Sequence, residues 1–291
     1  GLERSTMAKL FAGESVDQLA EAARRMGAST QFSAIEAADA MESLAQAGFH
    51  TKEIIAGTEA ALALAAASGG KLADATSIVA SAMSQFGLDA DNATRIADVY
   101  TQALNSSQLG MTDLAVAMSY AGTVGAGFGH TLEETTAAVA MFSNLGLEGS
   151  KAGTAFRMAM SQAATVSKVA EETLSKYNNA LTGTALTAKD INPELHNFGE
   201  ILDIVGKAGI TASDAMLIFG TEVGANVVTL AKQSQEAGRD IRTTFAGITE
   251  ELLGSSGKAA STAESMTATV LGAFEEASGA FEEVLLTLFF Q

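Results

Sequence analysis

FSAIEAADAMESLAQAGF, residues 32–49, and HTLEETTAAVAMFSNLGL, residues 130–147, are two copies of one phrase, 98 positions apart. Ser33, Glu36 and Gly48 of the first copy align with Thr131, Glu134 and Gly146 of the second. Each phrase spells both ends of a helix. The Ser or Thr hydroxyl accepts a first-turn N–H, and the Glu three residues on reaches back to the cap's own N–H. The glycine then supplies the left-handed conformation that closes the helix. A chain punctuated like this alternates helix and glycine turn, and nothing in that grammar requires an active site.

The rest of the composition agrees. Pro193 is the single proline in 291 residues, against a usual share of about 5%, and proline is what helix interiors exclude. Aromatics make up 6% and tryptophan is absent, while hydrophobic residues reach 47%. The core is therefore built mainly of Ala, Leu, Ile, Val and Met, whose small members let helices approach closely. The expected fold is all-α: many short glycine-punctuated amphipathic helices packed as helical hairpins, with a long C-terminal helix. The expected core contacts are Leu44, Ile55, Leu62, Ile78, Phe86, Ile96, Phe142 and Phe156.

Charge narrows the partners. Thirty-four acidic against 17 basic residues give a net charge of −17, which repels nucleic-acid phosphates and anionic membrane surfaces. Specific nucleic-acid binding through a basic face is not expected. Zero cysteines leave no disulfide framework and no thiolate metal site, a usage that suits a cytoplasmic origin. The chain opens GLERSTMAKL and stops inside EVLLTLFF, so it is expected to be a piece of a longer protein. No signal peptide is visible, and no stretch reaches the roughly 18 apolar residues of a membrane span. Membrane contact is expected only through segments beyond this piece.

Caps, glycines and 3.6-residue periodicity divide the chain into three regions. Residues 1–167 read as a helical core containing the repeat. Its helices open at Ser15, Thr51, Leu72, Asp89 or Asp91, and Thr112, and stop at Gly27, Gly69–Gly70, Gly87, Leu104 and the glycines of 122–129. Gly149 and Gly153 read as bracketing a turn. Residues 168–253 form a second helical region with an irregular crossover around 180–198, which holds the proline. The last region, 254–291, reads as a flexible GSSGK at 254–258 followed by one long helix that begins near Ser261 and continues onward. There Val270, Phe274, Phe281 and Leu285 are the expected oligomer contacts.

Little in the chain carries chemistry. None of the histidines 50, 130 and 196 sits in a zinc-binding HExxH pattern. His130 with Glu133 and Glu134 reads as a helix start before it reads as an acid/base pair. GAGFG at 125–129 follows a helical pattern and lacks the Lys-Ser/Thr ending of a phosphate loop, so it reads as a helix terminator. Gly220 and Gly224 are a weak signal of close helix contact. Adjacent carboxylates such as Glu171–Glu172, Glu275–Glu276 and Glu282–Glu283 point about 100° apart on a helix and read as solvated faces. No catalytic residue, metal site or cofactor is expected.

These phrases resemble the core region of phage tail tape-measure proteins. The resemblance rests on Phe32–Gly48, an alanine-rich helix at Ala56–Ser68, the FGL word in Phe86–Asp98, Gly129–Arg157, and the FG word at Ile218–Gly220 leading to Leu230. It covers roughly residues 20–235, in order. It implies a structural protein of the virion, lying in the tail tube lumen, setting tail length during assembly in the host cytoplasm and released ahead of the DNA at infection. It also implies partners among the tail tube protein, tail assembly chaperones and baseplate or tail-tip proteins, with self-association as a trimer or hexamer. The matched motifs transfer no catalytic residue. Two competing classes are a peptidoglycan-cleaving tail enzyme using Glu133 or Glu134, and a membrane-active helical pore formed with the apolar end.

Overall fold

The computed structural model describes residues 13–236 and 244–269 except 267. Its elements are α1 (Gly13–Ser29), α2 (Ala34–Gln46), α3 (Thr51–Ser68), α4 (Leu72–Phe86), α5 (Ala93–Ser106), α6 (Met111–Gly127), α7 (Leu132–Asn144) and α8 (Ser150–Ala164). They continue as α9 (Lys168–Leu174), α10 (Phe198–Ala208), α11 (Ala212–Phe219), α12 (Gly224–Glu236) and α13 (Phe245–Leu253). A closing helix occupies 258–266. Among the described residues the fold is all-α, with one isolated antiparallel bridge, Asn178 to Ala185, in the crossover.

Neighbours in sequence pack as hairpins: α1 on α2, α3 on α2 and α4, α6 on α7, and α11 on α12. Longer-range pairs tie the hairpins together, notably α3 on α5, α4 on α6 and α6 on α8. Two helices lie inside. α7 touches α5, α6, α8, α10, α12 and α13, and every residue from Thr135 to Ser143 is buried. α5 is buried from Ile96 to Ala103 without interruption. One hydrophobic cluster runs from Leu19 to Ala259. Four aromatics gather within it, where Phe198 meets Phe142, Phe156 and Phe245 at ring-centroid distances of 5.4, 5.8 and 6.2 Å.

Several glycines act differently from the punctuation read in the sequence. Gly27 does not stop α1, which runs on to Ser29. Gly122, Gly125 and Gly127 lie within α6, which opens at Met111 after an extended Gly110 and ends at Phe128. Gly153 brackets no turn: it sits inside α8, where a Cβ would collide with the Ala117 carbonyl of α6. Small size, not conformational freedom, is what this position needs, since it lets α6 and α8 meet backbone to backbone. Gly224 has the same use against the Ala215 carbonyl, between α11 and α12.

Other expectations shift by a residue or two. Asp89 caps a short 3-10 turn, Ala90–Asn92, which leads into α5. Of the expected core residues, Leu44, Leu62, Ile78, Ile96, Phe142 and Phe156 are buried, whereas Ile55 and Phe86 are half-buried, with Ile54 taking the inward place. The segment read as a flexible GSSGK is held down: Ser255 is buried and two of its neighbouring amides are bound by a side chain of α5. The C-terminal helix is described only to residue 269, so its expected length lies outside the described residues.

Candidate functional site

The two cap phrases make the same local bonds. The Ser33 hydroxyl accepts the Glu36 N–H at 3.2 Å, and Glu36 Oε2 accepts the Ser33 N–H at 2.8 Å. In the second copy Thr131 accepts from Glu134 at 3.1 Å and Glu134 accepts from Thr131 at 2.9 Å. These bonds hold the Glu36 carboxyl below its usual range. Gly48 and Gly146 follow their helices at φ of 91° and 85°, conformations that L side chains rarely adopt.

The two copies occupy different places. α2 buries one stripe, Ala37, Ala40, Met41, Leu44 and Ala45, and Ile35 at its start is 72% exposed. In α7 the position equivalent to Ile35 is Glu133, only 1% exposed. Its carboxylate receives Arg95 of α5 through two bonds, Nε at 2.5 Å and Nη2 at 2.6 Å. Glu134 is equally engaged, accepting the Thr131 N–H with one oxygen and the Asn197 amide at 3.1 Å with the other. Asn197 in turn opens α10 with its own capping box to Glu200. The carboxylates of the muralytic reading are thus occupied in holding helices together.

His130 lies beside this junction. Its side chain is almost wholly buried, with Nδ1 4.0 Å from Glu134 Oε2. Burial lowers its pKa, against the raising pull of Glu134 and Glu200. His196 lies 3.5 Å from Glu200 in the crossover. Among the described residues no three His, Asp or Glu side chains gather as a metal site. No described helix is long and apolar enough to cross a membrane. Val270, Phe274, Phe281 and Leu285, and the pairs Glu275–Glu276 and Glu282–Glu283, lie outside the described residues. Glu171 and Glu172 are exposed.

The arrangement that the sequence reading missed is a polar stripe on α5. Arg95, Asp98 and Gln102 are spaced i, i+3, i+7, which places them on one face of a helix. Each binds a different distant element. Arg95 holds Glu133 of α7, and Gln102 hydrogen-bonds Glu251 of α13. Asp98, 3% exposed, accepts the Gly257 N–H on Oδ2 and the Ala259 N–H on Oδ1, both at 2.8 Å. The sequence held no positive signal for it, because two charged residues and an amide at helical spacing read as a solvated edge. Chemically, the stripe holds chain segments in place. The Asp98 oxygens are spent on amides and those of Glu133 on a guanidinium.

Comparison with known proteins supplies the context for such a scaffold. The family model described as phage-related minor tail protein matches residues 20–208. A protein of Pneumococcus phage Dp-1 named tape measure protein is 32% identical over 264 residues, covering 90% of this chain and 22% of its own length. A probable tape measure protein of Escherichia phage P2 is 31% identical over 144 residues, covering 50% of this chain and 18% of its own. The chain thus spans about a fifth of the length of these relatives. No solved structure matches it. With the matched segment running from α1 through α10 and taking in both cap phrases and the α5 stripe, the chain belongs to the phage-related minor tail protein family.

Proposed function

We propose that this chain is the folded core of a tape-measure protein, a structural part of the virion that sets tail length. The carrying observation is the 32% identity to the Dp-1 tape measure protein across 90% of this chain. The geometry supports it through helices joined by caps and small-residue contacts, with an inner polar stripe devoted to fastening. In this reading the protein lies in the tail tube lumen, is assembled in the host cytoplasm and leaves ahead of the genome. Its partners are the tube protein, assembly chaperones and baseplate or tail-tip proteins, and it catalyses nothing.

Residues 1–167 and 168–253 divide the labour on one shared core, while the region 254–291 carries the chain onward from the helix that starts at Lys258. Val270, Phe274, Phe281 and Leu285 are the residues assigned to contact with other copies in a trimer or hexamer. The net charge of −17 keeps the protein from condensing on the DNA that follows it through the tube.

A helical ruler converts residues to length at about 1.5 Å each. Inserting roughly 60 helix-forming residues into the full-length protein, outside 20–208, is therefore expected to lengthen tails by about 90 Å in electron micrographs. Unchanged tail length overturns the reading. The purified chain is expected to release no peptidoglycan fragments in a cell-wall digestion assay and to bind duplex DNA weakly at low salt.

A further inference from the structure

Six helices in this protein bring their own cap. Ser33, Thr131, Ser167, Asn197, Thr211 and Thr244 each accept a first-turn N–H of the helix they precede. The closing helix, like α6 after Gly110 and α8 after Gly149, starts behind a glycine, but its amides find a remote side chain. Its first residue, Lys258, follows Gly257, which has no side chain to offer, and the helical bonding begins with Ser261 donating to the Gly257 carbonyl at 3.0 Å. The acceptors for its free amides come from Asp98, 159 positions earlier. One oxygen takes the Gly257 N–H and the other takes the Ala259 N–H. These two kinds of bond are the ones a local capping box divides between two side chains. Here a single carboxylate makes both, from inside the core.

The surroundings make the arrangement specific. Asp98 is buried on α5 between Ala97 and Val99, both fully inaccessible, and Ala259 is only 1% exposed. A carboxylate in such a place is costly unless its oxygens are satisfied, and the two amides of the chain's turn are what satisfy it. Four residues along the same stripe, Gln102 binds Glu251 at the end of α13. Both ends of the connection from α13 into the closing helix are therefore fastened to α5.

We propose that Asp98 is a helix cap supplied in trans, so that the closing helix starts at Lys258 only on a folded core. Two consequences follow. Without the packed core the 257–259 amides lack their acceptor, and helix initiation, already costly for the first turn, loses its template. With the core in place, the starting residue and the direction of departure are fixed together. How this serves length determination rests on the tape-measure reading: a rod that begins at one defined residue has a defined zero mark, whereas a start that wandered would shift the length by about 1.5 Å per residue. The trans cap itself stands or falls without that reading.

The test is amide hydrogen exchange followed by mass spectrometry on the intact chain, comparing wild type with Asp98→Asn and Asp98→Ala. Asn keeps the shape and one acceptor oxygen but turns an amino group toward a second N–H. The expected result is exchange across 257–266 faster by on the order of tenfold to a hundredfold, the range for losing a charge-assisted bond, with α8 protected as in wild type. Should Asp98→Ala fail to fold, Asp98→Asn alone decides. Unchanged exchange at 257–266 in Asp98→Asn overturns the proposal. So does equal loss of protection in α8, because Asp98 would then be a general core residue and not a cap. Neither outcome touches tail length, so failure here leaves the tape-measure reading standing, and the reverse also holds.

Discussion

Replacing Arg95 by methionine removes a cation but little volume, and the structure sets what this should cost. Glu133 is 1% exposed and receives two charge-assisted bonds from Arg95, at 2.5 and 2.6 Å. Its neighbourhood is dry enough that Tyr100, fully buried, has its hydroxyl ionisation pushed far up, first by burial and then by the Glu133 charge. Breaking a buried pair from one side typically costs about 3–5 kcal/mol, because an uncompensated charge stays behind. The Arg95 side chain is 44% exposed, so solvent already screens part of the pair and water can follow the departing guanidinium. The lower end applies, about 3 kcal/mol. At this chain length about 2 °C of Tm corresponds to each kcal/mol, so Arg95→Met should melt about 6 °C lower. Arg95→Met with Glu133→Leu removes the stranded charge as well and should return to within about 1 kcal/mol of wild type. Urea unfolding of the two single variants and the double one gives the coupling directly. A single Arg95→Met that loses less than 1 kcal/mol, or a double variant as unstable as the single, refutes the claim that this pair is a buried fastening between α5 and α7.

Three further perturbations test other parts of the structure. Gly153→Ala places a methyl group against the Ala117 carbonyl and is expected to cost about 1–3 kcal/mol by forcing α6 and α8 apart; thermal melting checks it, and a neutral effect would show that the contact is not tight. Phe198→Ala empties the centre of the aromatic cluster, with an expected loss of about 3–5 kcal/mol in denaturant unfolding and a cavity that small apolar probes should enter. Burial holds the His130 pKa below its ordinary 6.5, so the folded state prefers the neutral ring and the unfolded chain binds more protons. Stability should therefore fall as pH drops through 6.5 toward the folded value and level off beneath it. His130→Gln, compared with wild type in melts across this range, should lose that component of the slope; parallel curves would count against it.

What the sequence made readable was local. A capping box spans three residues, so Ser33 with Glu36 and Thr131 with Glu134 are visible as pairs wherever the helix ends up. The absence of interior proline and the glycine spacing likewise speak for helices without any knowledge of what they touch. Burial is a different matter. Matching the two phrases residue by residue sets Ile35 opposite Glu133, and the apolar one is exposed while the charged one is inside. α2 lies at the margin and keeps one buried stripe, whereas α7 is surrounded by six helices and buries threonine and serine along with its alanines. Periodicity assigns a face to a helix that has one, and α7 does not. Glycine was ambiguous for a related reason: Gly146 turns the chain and Gly153 admits a neighbour, and only the neighbour distinguishes the two roles.

The α5 stripe was out of reach because its partners are remote. Arg95, Asp98 and Gln102 share a face at ordinary helical spacing, which in isolation describes a solvated edge. It becomes a fastening only when Glu133, Glu251 and the amides of 257 and 259 arrive, and those lie between 38 and 161 positions away. Long separations are also what give the stripe its use. A bond between neighbours needs only its own helix, but a carboxylate that waits for residues 159 positions downstream is satisfied only when the fold brings the two segments together. The closing helix therefore depends on a buried α5 for its first acceptors, whereas the core keeps its own packing if that helix opens, and this one-way dependence is what the Asp98→Asn exchange experiment reads.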